Sequence, residues 1–191
     1  CTVTYELNNN NELLIDFGAT SDKDTIVNMT NHNYWNFHGH GDSYQNNEDH
    51  VVCINSKSIC ETDEQSIPTG KILKVEGSKF DLQKDFLINK DFLNSGGIDH
   101  NYILEDQTMK ESVAKIYSKK TGLGVEYFTN QNGIQFYTGN MMLDKYIGKY
   151  EKPYGFQYGM CLEPQHFPDA INHQNFPSPI LRKNKNYLSK I

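Results

Sequence analysis

The 191-residue sequence has little of what marks several large classes of protein. It has one tryptophan and six prolines, no block of lysine and arginine, and no apolar run near the roughly 20 residues of a membrane-spanning helix. Its formal net charge is −6, so the clustered positive charge that nucleic acids and anionic membrane surfaces attract is missing. We therefore expect neither a nucleic-acid partner nor a membrane partner.

Cysteine is also sparse. The four cysteines form no C-x-x-C pair and are too few for a disulfide scaffold in a chain of this length. This usage favours a reducing compartment, and we expect a cytoplasmic protein. The chain begins with Cys1 and not with methionine, which is consistent with a fragment or a processed chain.

Alternation of apolar and polar residues is the main pattern that the sequence does have. It is clearest at residues 13–17, 125–127 and 134–136. A period of two predicts strands that are half buried on one face. Turn-forming pairs, such as Thr121-Gly122 and Asn132-Gly133, separate these runs and suit antiparallel connections. The pattern predicts an all-β protein.

One segment has helical spacing instead. Within residues 80–93, Leu82, Phe86 and Leu93 could share one face of a short helix, although no capping residue is evident. Neither an internal repeat nor a convincing linker divides the chain. We therefore treat residues 1–191 as one structural unit.

Polar clusters supply the candidates for chemistry. His32 lies among Asn, Tyr and Trp residues, a mixture suited to a sugar, because aromatic faces pack on C–H surfaces, amides bond hydroxyls and imidazole transfers protons near neutral pH. Glu163 follows an apolar run, and an apolar setting raises a carboxyl pKa, as a general base near neutrality requires. Taken singly, the His32 segment is better interpreted as a solvent-exposed turn, and Glu163 as a solvent-exposed residue at the end of a strand. We interpret His38, His40 and His50 as exposed loop residues and not as a metal site.

Six segments taken together resemble the aldose 1-epimerases (galactose mutarotases), and they occur in that family's order. The segments are VNMTNHNYWNF at 27–37, DEQSIPTG at 63–70, KFDL at 79–82, GGIDHNYIL at 96–104, GIQFYTGN at 133–140 and CLEPQHFPDAIN at 161–172. The resemblance implies the family's large antiparallel β-sandwich. It also implies that residues 1–191 are the C-terminal part, roughly three-fifths, of a single domain whose N-terminal strands are absent from this chain.

The resemblance also implies the roles of four residues. It places the catalytic base on Glu163, the catalytic acid on His32, and ligands for the substrate hydroxyls on Asp99 and Gln135. The chemistry needs such a set, because opening a pyranose takes a proton from the C1 hydroxyl and gives one to the ring oxygen. No metal or organic cofactor is implied, and the expected partner is a small aldohexose.

Two further motifs of the family have no counterpart here. An N-R-I arginine and an H-G-G histidine, which line the family's sugar site, belong to the N-terminal region, so we expect an N-terminal segment of the same protein to complete the sandwich. Three functions stay open: mutarotation of galactose or glucose, sugar binding without turnover, and mutarotation of a hexose 6-phosphate. The visible motifs contain no evident basic cluster for a phosphate.

Overall fold

The computed structural model describes residues 1–40, 45–142 and 147–191. Strands dominate these ranges, together with one short α-helix and 3-10 turns at Lys149–Glu151 and Ala170–Asn172. The elements are β1 (Thr2–Leu7), β2 (Leu13–Thr20), β3 (Thr25–Ile26), β4 (His50–Ile54), β5 (Ser58–Thr62), β6 (Pro68–Lys74), β7 (Phe86–Leu87), α1 (Lys90–Asn94), β8 (Asp99–Ile103), β9 (Ala114–Ser118), β10 (Gly124–Tyr127), β11 (Gly133–Tyr137), β12 (Cys161–Gln165), β13 (Ile180–Leu181) and β14 (Asn186–Lys190). No helix in the described ranges is both long and apolar enough to cross a membrane.

All the strand pairs within the described ranges are antiparallel. They build a three-stranded sheet (β1-β2-β14), a four-stranded sheet (β10-β9-β4-β7), a five-stranded sheet (β12-β11-β8-β5-β6) and the pair β13-β3. The prediction of an all-β antiparallel protein is confirmed.

The main core lies between the four-stranded and five-stranded sheets. Val52 and Ile116 face it from the first sheet, and Phe136 and Leu162 face it from the second, all with 0% exposure. One continuous cluster therefore joins the inner faces of two sheets, which is how a β-sandwich is held together.

Burial follows the predicted period of two. Ile15 and Phe17 of β2 are buried, as are Ile134 and Phe136 of β11. The pair Thr121-Gly122 lies in the connection between the neighbouring antiparallel strands β9 and β10, as the turn signal predicts. In β2 and β11, alternation therefore indicated which side of the strand faces the core, although Leu13 at the start of β2 is 44% exposed.

The helix predicted within residues 80–93 is wrong in its bounds. Helix α1 covers only Lys90–Asn94, and Phe86 lies in β7. The side-chain oxygen of Asn89 accepts a hydrogen bond from the backbone N–H of Phe92 at 2.9 Å, so the helix does have an N-cap. The apolar residues before Asn89 reach the main core from turns and a short strand, which accounts for their misleading spacing.

His38 and His50 are not the exposed loop residues that the sequence suggests. Both are buried, and their rings meet edge to face with centroids 4.2 Å apart. Nε2 of His50 accepts a hydrogen bond from the backbone N–H of Phe37 at 2.9 Å. Burial, together with a smaller effect of His38, lowers the pKa of His50 to about 4, so His50 is a neutral structural group at physiological pH. His40 is exposed, as expected.

Strand β1 has an apolar face that the described residues leave uncovered. Val3, Tyr5 and Leu7 alternate along it and are 44%, 58% and 75% exposed. The register pairs Tyr5 with Ile15 and Leu7 with Leu13, so this face continues into the small core beneath β2. That small core is therefore open along β1.

Candidate active site

The outward face of the five-stranded sheet carries polar residues that the sequence singled out. In the register of β11, Gln135 pairs with Glu163 of β12. Tyr137 pairs with Asp99 of β8. Directly paired residues project to the same side of a sheet, and so do residues two positions apart in a strand. Asp99, Gln135, Tyr137 and Glu163 therefore share one side, which we call the site face, while Phe136 between them points into the main core.

His32 reaches the site face from the segment that precedes β4. This segment is fixed to the start of β12 by two backbone hydrogen bonds between Trp35 and Met160, of 2.7 and 2.9 Å. Nε2 of His32 lies 3.5 Å from a carboxylate oxygen of Glu163. The side chain of His32 is 52% exposed and that of Glu163 is 9% exposed. The imidazole thus stands between solvent and a buried carboxyl group.

The carboxyl group of Glu163 has an altered proton affinity. The pKa of Glu163 is raised to about 7: burial is the largest cause, the positive charge of His32 opposes the rise, and the carboxylate of Asp99 adds to it. A group with a pKa near 7 can both take up and release a proton at physiological pH. Glu163 is therefore suited to general acid–base chemistry.

Asp99 and Gln135 form a hydrogen-bonded pair beside that carboxyl group. Nε2 of Gln135 donates to Oδ1 of Asp99 at 2.7 Å. This bond orients the amide so that Oε1 of Gln135 is the free acceptor, and Oε1 is buried without a hydrogen-bond partner among the described residues. A buried acceptor usually has a donor in the functional state. The hydroxyl group of a ligand would supply one.

Two tyrosines that the sequence reasoning did not single out border the site. Tyr34 stacks on His32, with ring centroids 5.1 Å apart and planes 22° apart. It also meets Tyr137 edge to face at 6.3 Å. Burial raises the pKa of Tyr34 to about 12, so its hydroxyl stays protonated at neutral pH. The available signal was spacing, because Tyr34 follows His32 by two positions in the same matched segment.

A cavity opens beside these two tyrosines. Its volume is about 830 Å³, and Tyr34 and Tyr137 form part of its wall. The polar side chain of Asn36 and the apolar side chain of Met141 also line it. Aromatic walls with a few polar groups are typical of sites for small organic ligands, including sugars.

Cys161 is the remaining reactive group at the site. Its Sγ atom, a ring nitrogen of His32 and a carboxylate oxygen of Glu163 all lie within 4.8 Å of one another. Among the residues that the structure describes, this is the one set of histidine, cysteine and carboxylate groups close enough to share a metal ion. Burial raises the pKa of the Cys161 thiol, and Glu163 and Asp99 raise it further, so the thiol is protonated at neutral pH.

The family follows from comparison with known proteins. The model of the aldose 1-epimerase family matches residues 1–191. The chain belongs to the aldose 1-epimerase family. Galactose mutarotase of Rattus norvegicus is 39% identical over 189 residues, which cover 97% of this chain and 54% of the relative. Aldose 1-epimerase of Escherichia coli (strain K12) is 32% identical over 197 residues, which cover 98% of this chain and 56% of the relative. The chain therefore spans about half the length of the curated relatives it matches.

Solved structures agree with this assignment to the aldose 1-epimerase family. The GalM/aldose epimerase homologue from C. elegans superimposes with a TM-score of 0.86 at 26% identity, over 98% of this chain and 57% of the other. Galactose 1-epimerase from Lactobacillus acidophilus superimposes with a TM-score of 0.78 at 25% identity, over 98% of this chain and 54% of the other. The predicted galactose mutarotase-like β-sandwich is confirmed.

The structure brings all four predicted site residues of this aldose 1-epimerase relative together. Asp99, Gln135 and Glu163 lie on adjacent strands of one sheet, and His32 faces Glu163 from outside it. Their parts in catalysis and sugar binding stay predictions.

Proposed function

We propose that this member of the aldose 1-epimerase family interconverts the α and β anomers of a hexose, galactose or glucose, by acid–base ring opening and reclosure. The observation that carries the proposal is the buried carboxyl group of Glu163, which faces the imidazole of His32 at 3.5 Å. A base and an acid at this separation can reach neighbouring oxygens of one sugar ring. Asp99 and Gln135, beside Glu163, present acceptors to the other hydroxyl groups.

In the proposed reaction, the carboxylate of Glu163 takes the proton of the C1 hydroxyl while the imidazolium of His32 gives a proton to the ring oxygen. The O–H electron pair becomes the second bond of the C1 carbonyl, and the electron pair of the bond between C1 and the ring oxygen passes to that oxygen. The products are the open-chain aldehyde, a protonated Glu163 and a neutral His32. Rotation about the C1–C2 bond exposes the other carbonyl face. Reclosure reverses both proton transfers, so no proton is consumed.

We further propose that residues 1–191 form the C-terminal part of a single domain, and that an N-terminal segment of the same protein completes its sandwich. The relatives extend well beyond the matched region, since the match covers 54% of the rat protein. In addition, Val3, Tyr5 and Leu7 present an exposed apolar face on β1. Faces of this kind are usually covered in folded proteins.

Polarimetry on freshly dissolved α-D-galactose tests the enzymatic proposal. We expect the purified full-length protein, with its N-terminal segment present, to accelerate the approach to anomeric equilibrium, and every variant below is made in that protein. Glu163→Gln and His32→Ala should each slow it by about 100-fold or more, because each removes a proton-transfer group. Glu105→Gln is the matched control, since Glu105 is exposed and pairs with Lys57 at the surface. A rate equal to that in buffer, or an unchanged rate in Glu163→Gln, would refute the proposal.

The same measurements separate the other two functions. A sugar-binding module would give saturable binding of galactose in calorimetry without any acceleration. A hexose-6-phosphate mutarotase would give a higher kcat/KM with glucose 6-phosphate than with glucose or galactose. We expect instead that the unphosphorylated sugars are preferred.

A further inference from the structure

We propose that His32, Cys161 and Glu163 form a binding site for Zn²⁺. The bound ion would occupy the candidate active site in place of a sugar. The distance of 3.5 Å between Nε2 of His32 and the Glu163 oxygen is close to the roughly 3.4 Å that separates two N and O ligands of a tetrahedral zinc ion. All three ligand atoms lie within 4.8 Å of one another. Tetrahedral geometry places sulfur about 3.6 Å from a nitrogen ligand, so closure needs movements of only about 1 Å.

The donor set determines which metals can bind. A thiolate, an imidazole and one carboxylate suit Zn²⁺ and Co²⁺, whereas Mg²⁺ and Ca²⁺ prefer shells made wholly of oxygen. Three protein ligands leave the fourth tetrahedral position vacant. Because the His32 side chain is half exposed, that position can be reached from solvent by a water molecule.

Binding of the metal has a defined proton balance. Cys161 coordinates as the thiolate and His32 through the lone pair of Nε2, so the thiol and the imidazolium each release one proton to solvent, while Glu163 coordinates as the carboxylate. The buried surroundings disfavour a free thiolate at Cys161, and the positive charge of the metal offsets that cost.

Occupancy by zinc would block the proposed reaction. The metal would hold the lone pair of His32 and a carboxylate oxygen of Glu163, the two groups that must transfer protons. Inhibition therefore rests on the proposed function. The binding of metal itself requires only the three ligand atoms, and it can be measured without any sugar.

Absorption spectroscopy with Co²⁺ tests the site directly. Cys1 and Cys53 are not buried and could bind metal themselves, so the parent protein carries Cys1→Ser and Cys53→Ser. We expect one equivalent of Co²⁺ to produce a thiolate-to-cobalt charge-transfer band in the near ultraviolet, which added Zn²⁺ removes. Further addition of Cys161→Ser should abolish the band. Cys60→Ser, the matched control at a buried thiol outside the set, should retain it.

His32→Ala provides a second variant in case Cys161→Ser does not fold, because His32 is half exposed and its loss leaves the core intact. It should weaken binding of Co²⁺ by about 100-fold or more, because loss of an outer-shell partner alone costs about 10- to 100-fold. A parent protein without the band, or a band that persists in Cys161→Ser, would overturn the proposed site.

Inhibition of galactose mutarotation gives the functional measurement. Zn²⁺ should inhibit competitively with galactose, and Mg²⁺ at the same concentration should not. Relative to its own metal-free rate, Cys161→Ser should need about 100-fold more Zn²⁺ for half inhibition. Equal sensitivity in the two proteins would contradict the assignment. A cobalt band in a protein without mutarotase activity would instead support the metal site and refute the enzymatic proposal alone.

Discussion

Glu163→Gln should stabilise the protein at neutral and alkaline pH, although it removes the proposed base. Burial raises the pKa of Glu163 from 4.5 to about 7, so the folded state binds this proton more tightly than the unfolded state does. Below pH 4.5 the carboxyl group is protonated in both states and costs nothing. Between pH 4.5 and 7 the carboxyl group ionises in the unfolded state first, so the free energy of unfolding of the wild type falls. Above pH 7 the group is ionised in both states, and the folded state bears the full cost of a buried charge. Glutamine stays neutral throughout and avoids this cost.

The size of the effect follows from the shift in pKa. Each unit corresponds to about 1.4 kcal/mol, so the full cost at pH 8 is about 3 kcal/mol, and at pH 5 it is under about 1 kcal/mol. The difference in free energy of unfolding between Glu163→Gln and the wild type should therefore grow with pH. The side chain of Glu163 is 9% exposed, so solvent screens little of this energy.

Urea unfolding at pH 5, 6, 7 and 8 in the presence of EDTA measures the difference. Comparing two proteins at each pH cancels the titration of the groups they share. Glu6→Gln is the control, because Glu6 is exposed on β1, and its effect should stay within about 0.5 kcal/mol at every pH. A Glu163→Gln variant that is less stable than the wild type at pH 8, or a difference that does not change with pH, would refute the reasoning.

Three further substitutions test other contacts. Asp99→Asn removes a charge that raises the pKa of Glu163, so the acidic limb of the pH profile of kcat/KM should move to lower pH, and an unmoved limb would contradict this coupling. Trp35→Phe removes the 2.7 Å hydrogen bond from the indole N–H to the Tyr127 hydroxyl and should cost about 1 kcal/mol in urea unfolding, whereas no loss would show that solvent replaces the bond. Gly97→Ala should cost more than about 2 kcal/mol, because φ is +60° and the new Cβ would meet side-chain oxygens nearby; thermal unfolding unchanged from the wild type would argue against strain.

The fold class and the inward-facing residues could be predicted from local sequence, because alternation reports which side of a strand is buried. Ile134 and Phe136 are in the main core, with Gln135 on the other side, as the pattern indicates. The meeting of Asp99 with Glu163 could not be predicted in this way. It depends on the order β12-β11-β8, which is set by pairing between distant segments. Resemblance to a family supplied that information, and local periodicity did not.

The local errors have physical causes. Apolar spacing in residues 80–93 fits a helix, but the same spacing arises when turns bring successive apolar residues to one core. His38 and His50 lie in a polar, histidine-rich segment that appears hydrophilic. They are buried because Nε2 of His38 lies 2.7 Å from the carbonyl oxygen of Glu48 and His50 pairs with the backbone of Phe37. Hydrogen bonds to backbone groups cannot be predicted from the amino-acid composition of a segment, so the burial of these two histidines could not be predicted either.

Because of the register between β11 and β12, only molecules in which these two strands pair correctly would have the proposed activity. Glu163 lies opposite Gln135, and Leu162 lies opposite Phe136 in the core. A slip of one residue along this edge strand would exchange the two sides, placing the carboxyl group in the core and the leucine in the cleft. A molecule with the wrong register would then lack the Glu163 carboxyl group in its active site and would be inactive, not merely slower. The mutarotation rate of a refolded sample, divided by its protein concentration, would count the correctly aligned molecules.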